Sequence, residues 1–408
     1  YYLSLDVVKR RAVVILLSIM IISLFSGCSE QEIEQGLGDI GGYIQQVQDA
    51  HTETIESEQT TETDMPESEE TLEELPSIYY AYHTLDKEGQ KLYLEIYRSL
   101  QRMETDTAVS TLDIDELNTV FQYVLADHPE LFYVEGYQYT QYTTGNAMTK
   151  LTFTGTYTMT WENVQQTMQR IETVAEQMTV PLAQITDQYT IIRYLYDSLI
   201  IATEYDSNAE NNQNIQSVFL DGRSVCQGYA KAMQYLLQKE GIQTLLVTGQ
   251  TNGEGHAWDL VLADGEYYYL DPTWGDASYS KAEESTENVR IPSINYDYFL
   301  VTTQELEKTH QLDESIPLPE CMADADNYYV HEGLYLDTYN EDQIKWIFEK
   351  AQQSQTGYIT MKCSNAEVYS QTKEKLIDEQ EVFRFLQTDG NSISYTMNET
   401  QLTLSFWI

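Results

Sequence analysis

Two strand-like runs, 255–262 and 266–271, flank Ala263, Asp264 and Gly265. Asp-Gly between such runs is a strong hairpin signal, because both residues tolerate the backbone a tight turn requires. The turn fixes a register. With Ala263 opposite Glu266, Trp258 faces Asp271 and His256 faces Thr273. His256 and Asp271 are then diagonal neighbours on one face, about 7–8 Å apart at the backbone, which lets an imidazole reach a carboxylate. A slip of one residue sends them to opposite faces, so the pairing depends on the turn.

Thirty residues earlier, Cys226 opens a helical period. Tyr229, Met233, Leu236 and Leu237 share a face, and Gly241 supplies a stop. Cys226 therefore sits at a helix start, where unpaired backbone N–H groups favour a thiolate. Gly222 and Gly228 allow close backbone approach around it. A lone Cys is more often a buried, inert thiol. The His–Asp pair reverses that judgement: Asp271 holds one ring nitrogen of His256, and the other accepts the Cys226 proton. A zinc site of Cys226, His256 and Asp271 is the competing chemical reading. It lacks closely paired ligand spacings, and the arrangement suits nucleophilic catalysis better.

Three blocks carry a resemblance: 223–230 (RSVCQGYA), 255–258 (GHAW) and 269–274 (YLDPTW). Their order and spacing resemble the core of the transglutaminase-like superfamily, over roughly 186–303. Asp259 stands where many relatives carry Asn. The resemblance implies an α+β fold with a papain-like core, in which a helix carrying the Cys packs on an antiparallel sheet carrying His and Asp, flanked by small α/β units. It also implies a Cys226–His256–Asp271 triad performing acyl transfer on amides, as a transglutaminase or a cysteine peptidase or amidase. Oxyanion donors are expected from the Cys226 backbone N–H and from Tyr205 or Gln227. Trp258 and Trp274 are expected to flank the thiol and shape an acyl channel, with core packing as the equal alternative. No cofactor is expected.

The start of the chain reads as a targeting segment. Lys9, Arg10 and Arg11 precede an apolar run at 12–25 broken only by Ser18 and Ser23. That run is short for a bilayer span and suits a signal peptide. Leu24, Phe25, Ser26, Gly27 and Cys28 resemble a bacterial lipoprotein signal, with Phe25 where Leu is usual, so lipidation at Cys28 is expected. Residues 29–75 hold 15 acidic side chains and no Lys or Arg. Too little apolar surface is present there to offset ordering, and a self-repelling tether is expected.

The remaining boundaries are a 76–180 α/β unit, a 186–305 catalytic core and a 306–408 appendage. Helices are expected at 85–103, 113–127, 161–178, 186–202 and 340–353. Strands are expected at 132–142, 148–159, 328–336, 358–363, 392–397 and 401–407. Asp113 with Glu116 reads as a capping box. His128, His310 and His331 lack a specified chemical partner and read as structural or surface residues. Cys321 and Cys363 either pair or remain separate thiols.

The formal charge is -44, from 66 acidic and 22 basic residues. That balance argues against nucleic acid and against electrostatic attraction to anionic lipid. It suits a solvated extracytoplasmic surface, as do 33 tyrosines. The partners expected are a protein or peptide substrate, cell-wall peptide included, and a membrane reached through the lipid on Cys28. The alternative is a catalytically silent binding or scaffold lipoprotein at the cell surface.

Overall fold

The computed structural model describes residues 75–145, 147–276, 293–313, 315–354, 357–386 and 392–407. The signal segment 1–28 with Cys28, and the tether 29–75 apart from Leu75, lie outside the described residues.

The N-terminal part sets α1 (Tyr80–Thr84), α2 (Lys87–Arg102) and α3 (Ile114–Asp127) against a hairpin of β2 (Val134–Thr144) and β3 (Ala147–Tyr157). A short β1 (Thr107–Ala108) pairs with β3. Leu92, Ile96 and Leu100 of α2 are buried, as their helical spacing requires. Asp113 caps α3 by accepting from the N–H groups of Asp115 and Glu116. The expected capping box does not close. Glu116 accepts from the Thr111 hydroxyl instead, and Thr111 Oγ1 in turn accepts the Asp113 N–H. His128 is enclosed: it stacks on Tyr97 and bonds Glu130 through Nδ1 at 2.7 Å.

Next come α4 (Trp161–Thr179) and α5 (Gln188–Ala202). A parallel pair, β4 (Glu204–Tyr205) and β5 (Arg223–Ser224), leads into α6 (Cys226–Lys239). The core sheet is antiparallel. It contains β6 (Thr244–Thr251), β7 (Glu254–Ala263), β8 (Glu266–Leu270) and, after the short α7 (Thr303–Leu306), β9 (His310–Leu312). Their order is β8-β7-β6-β9. Ala230 of α6 packs with Leu246 and Ala257, and the two alanines seat the helix close on the sheet. Gln234 and Gln238 tie α6 back to the end of α3, donating to the carbonyls of Ala126 and Asp127 at 2.6 and 2.9 Å.

The C-terminal part holds α8 (Tyr328–His331), β10 (Tyr335–Leu336), α9 (Glu341–Ser354), β11 (Tyr358–Cys363), α10 (Ala366–Lys373), β12 (Ser394–Asn398) and β13 (Thr403–Trp407). Its sheet runs β10-β11-β13-β12, with β10 parallel to β11. The strand expected over 328–336 begins instead as a helical turn. Asn327 caps that turn, and Tyr329 is buried with its hydroxyl donating to Asp297 at 2.7 Å. Tertiary anchoring thus overrides the β preference of the tyrosines. Cys321 and Cys363 are separate buried thiols. Burial pushes them up to about 12 and about 11 respectively. Among the described residues, no helix is long and apolar enough to cross a membrane.

Candidate active site

Cys226 is the first residue of α6 and is 8% exposed. The preceding Val225 offers no side-chain cap to the helix start. The approach to the Cys is fixed by Ser224, whose hydroxyl contacts Ser217 and the Asn212 carbonyl at 2.8 and 2.7 Å. Gly228 is required there, since a Cβ would lie 1.9 Å from Ser224 Oγ and 2.8 Å from the Asn212 oxygen.

The β7–β8 hairpin adopts the register expected from its turn, with Ala263 opposite Glu266 and Asp259 opposite Leu270. Asp264 and Gly265 both have positive φ. Asp271 follows directly after β8 and is fully buried. Its Oδ2 accepts from His256 Nε2 at 2.8 Å. With Nε2 engaged by Asp271, Nδ1 is the ring nitrogen left to serve the Cys226 thiol, whose proximity adds to the basicity of the imidazole. Burial alone lowers the basicity of His256. The Asp271 charge and the bonds to Asp271 and Cys226 outweigh burial and hold the imidazole at about 10. Burial pushes the Asp271 carboxyl up, but His256 and His310, by charge and hydrogen bond, hold it well below the usual carboxylate range.

Asp271 has two further sets of donors. Its Oδ1 accepts the backbone N–H groups of Thr273 and Trp274 at 2.9 and 3.1 Å. Its Oδ2 also accepts from His310 Nε2 at 3.1 Å. His310 is therefore neither isolated nor on the surface. It is 3% exposed and belongs to β9, which pairs with β6. Residues assigned from sequence to the C-terminal segment thus supply the fourth strand of the core sheet. No spacing near His310 signals this role, because the strand has three residues and its partner lies some sixty positions earlier.

The other expected site residues fall around this cluster. Trp258 and Trp274 lie 5.9 and 6.0 Å from the His256 ring, and each lies 4.9 Å from the His310 ring. Trp258 is fully buried, so it packs the sheet and lines no open channel, whereas Trp274 keeps some exposure. Tyr205 sits opposite Ser224 in the β4–β5 pair, and Gln227 is buried in the first turn of α6. Asp259 is also fully buried, and both its oxygens lack a hydrogen-bond partner among the described residues. Burial, with the Asp271 charge adding to it, raises the Asp259 carboxyl well above the usual range. His256, Asp271 and His310 offer three ligand atoms within 4.8 Å of one another. Each of these atoms already has its hydrogen-bond partner, so the cluster is satisfied as a proton-sharing network.

Residues 173–272 match the Transglutaminase-like superfamily. The stretch includes Cys226, His256 and Asp271 and ends before His310. The chain thus carries a transglutaminase-like domain, a papain-like α+β core with a Cys-bearing helix on an antiparallel sheet. No curated protein matches the chain. Among solved structures it is similar to one described as a TGase, at 15% identity and a TM-score of 0.26, over 38% of this chain and 50% of that one. It is also similar to the periplasmic domain of TgpA from Pseudomonas aeruginosa bound to ethylmercury, at 15% identity and a TM-score of 0.22, over 30% and 55% of the two chains. The chain therefore spans about half the length of these two structures. The fold assignment rests on the family match and on the observed topology.

Proposed function

We propose that this protein is an extracytoplasmic, cysteine-dependent enzyme that transfers acyl groups from amide bonds. Cys226 is the nucleophile, His256 the proton carrier and Asp271 the group that orients and charges the imidazole. The observation that carries the reading is the buried His256–Asp271 pair, Nε2 to Oδ2 at 2.8 Å, on the sheet against which the Cys226-bearing start of α6 packs.

The Cys226 thiolate attacks the amide carbonyl and forms a tetrahedral intermediate. The imidazolium gives its proton to the departing amine as the C–N bond breaks, which leaves a thioester. Water or a second amine then attacks the thioester carbonyl, His256 takes the proton from the incoming nucleophile, and the C–S bond breaks to release the acyl product and return the Cys226 thiolate. The oxyanion faces the uncapped start of α6, where the Cys226 N–H is the nearest donor in sequence, with Gln227 or Tyr205 as the second. Trp274, the partly exposed aromatic of the site, borders the acyl chain. The substrate is a protein or peptide, cell-wall peptide among the candidates, and Cys28 tethers the enzyme to a membrane by lipid.

The test is pH-resolved labelling of Cys226 with iodoacetamide, followed by mass spectrometry of the Cys226 peptide. Labelling is expected to persist well below neutral pH and to vanish in Cys226→Ala. A rate that follows an ordinary free thiol sinks the enzyme reading and leaves a silent scaffold. Amine and amide probes then separate transfer from hydrolysis.

A further inference from the structure

We propose that His310 is a positioning residue of this site: its Nε2–H holds the Asp271 carboxylate in the orientation that pairs it with His256. The proposal deepens the acyl-transfer reading and rests on it. His310 lies outside the stretch matched to the superfamily and comes from a separate strand.

Parity along the sheet puts the groups together. Partners in an antiparallel pair point to the same side. Gly249 is opposite His256 on β7 and Leu312 on β9, and Thr251, two residues on, is opposite His310. His256 and His310 therefore project from one face, on either side of a residue with no side chain. A Cβ at Gly249 would lie 2.6 Å from Trp258 Cη2 and 2.1 Å from the Gln311 carbonyl oxygen. The glycine thus lets the Trp258 ring lean across the sheet towards His310.

The His310 ring is fixed on every side. Trp258, Trp274 and Tyr298 surround it, with centroids 4.9, 4.9 and 5.2 Å away. Its Nδ1 bonds Thr309 Oγ1 at 2.8 Å. That hydroxyl contacts Tyr298 Oη at 3.0 Å, and Tyr298 Oη accepts from Gln401 Nε2 at 3.1 Å. A hydrogen-bonded chain, half-buried at Thr309 and buried elsewhere, thus runs from the β12–β13 hairpin of the C-terminal part to Asp271. Packing alone would be met by any flat ring. The Nε2–H aimed at Oδ2 is the part that packing does not require.

Asp271 Oδ1 is already held by two backbone donors. His310 fixes the remaining freedom, the direction of Oδ2, and helps keep the desolvated carboxylate ionised. Without that donor the carboxylate loosens, the imidazolium is less well held, and the reactive thiolate needs a higher pH.

The experiment is the Cys226 alkylation profile of the full chain from about pH 4 to pH 9, which brackets the ordinary histidine and cysteine ranges. It compares wild type, His310→Phe and His310→Gln. Phe keeps the flat ring and removes the donor, whereas the Gln amide restores an N–H near the position of Nε2. His310→Phe is expected to move the acid limb upward by about one pH unit, roughly a tenfold loss of rate on that limb. His310→Gln is expected to return the limb to within about threefold of wild type. A Phe profile that overlays wild type, or moves the other way, overturns the proposal. So does an equal loss in Phe and Gln, which would mark a packing role. If His310→Phe does not fold, Thr309→Val decides. It leaves the ring in place and releases Nδ1, so a wild-type profile overturns the proposal and an upward shift supports it. Wild type whose acid limb falls where an ordinary free thiol's does is a different failure: it overturns the triad itself, and the positioning role with it, before any His310 variant is compared.

Discussion

Asparagine at position 271 is the most demanding test of the site, because Asn serves as the third member of other Cys–His sites. Here the carboxylate is surrounded by donors on both ends. Oδ1 accepts two backbone N–H groups, and Oδ2 accepts two imidazole N–H groups. An amide has one oxygen and one NH2, so it fails at one end in either orientation. With its oxygen on Thr273 and Trp274, the NH2 faces the two imidazoles. Two charge-assisted bonds of about 1.5–3 kcal/mol each are lost, and His256 is driven to the tautomer that cannot accept from the thiol. That is a fall in turnover on the order of 10²–10⁴ at neutral pH, at about 1.4 kcal/mol per tenfold. With its oxygen on the imidazoles, two buried backbone N–H groups are left without an acceptor, which lowers stability by about 2–6 kcal/mol. Asp271→Asn is therefore expected to lose activity or fold stability. The assays are Cys226 alkylation against pH, and urea denaturation at pH 7. A variant within about threefold of wild type in rate and about 1 kcal/mol in stability would refute the four-donor argument.

Two further outcomes follow from residues beside the site. Asp259 has a raised carboxyl in the fold, so the native state keeps a proton that the unfolded chain releases above its ordinary range near pH 4. Its contribution to stability therefore falls as pH rises from about 4, by up to about 1.4 kcal/mol per pH unit, until the native carboxyl ionises. Asp259→Asn is expected to raise the melting temperature at pH 7 and to raise it much less at pH 4.5; equal shifts at both pH values would contradict this. Gly249→Ala places a methyl against Trp258 and the Gln311 carbonyl. It is expected to destabilise the fold by about 1–3 kcal/mol in chemical denaturation. A neutral result would mean that the β6–β9 approach is looser than the structure has it.

Much of the core was legible because its signals are local. Asp264-Gly265 sets a turn, and the turn sets the β7–β8 register that puts His256 and Asp271 on one face. The helical period after residue 226 places Cys226 at a helix start. Helix α3 shows how far such signals reach. Asp113 was readable as its cap, but the partner of Glu116 was not, since Thr111 competes with the backbone for that carboxylate. The expectation for 328–336 failed for a related reason: the Phe299 carbonyl and Asp297, distant in sequence, anchor Asn327 and Tyr329 and so decide the conformation of this turn.

The sequence by itself determined the helix start at Cys226 and the hairpin that carries His256 and Asp271, because turn chemistry and periodicity act over a few residues. Only the tertiary structure decided that Asp271 serves two histidines. His310 reaches Asp271 through the pairing of a three-residue strand with β6, a long-range contact whose closure leaves no periodic trace in the chain. The same holds for burial: Trp258 and Trp274 look alike as sequence, and only packing encloses the first and leaves the second partly exposed.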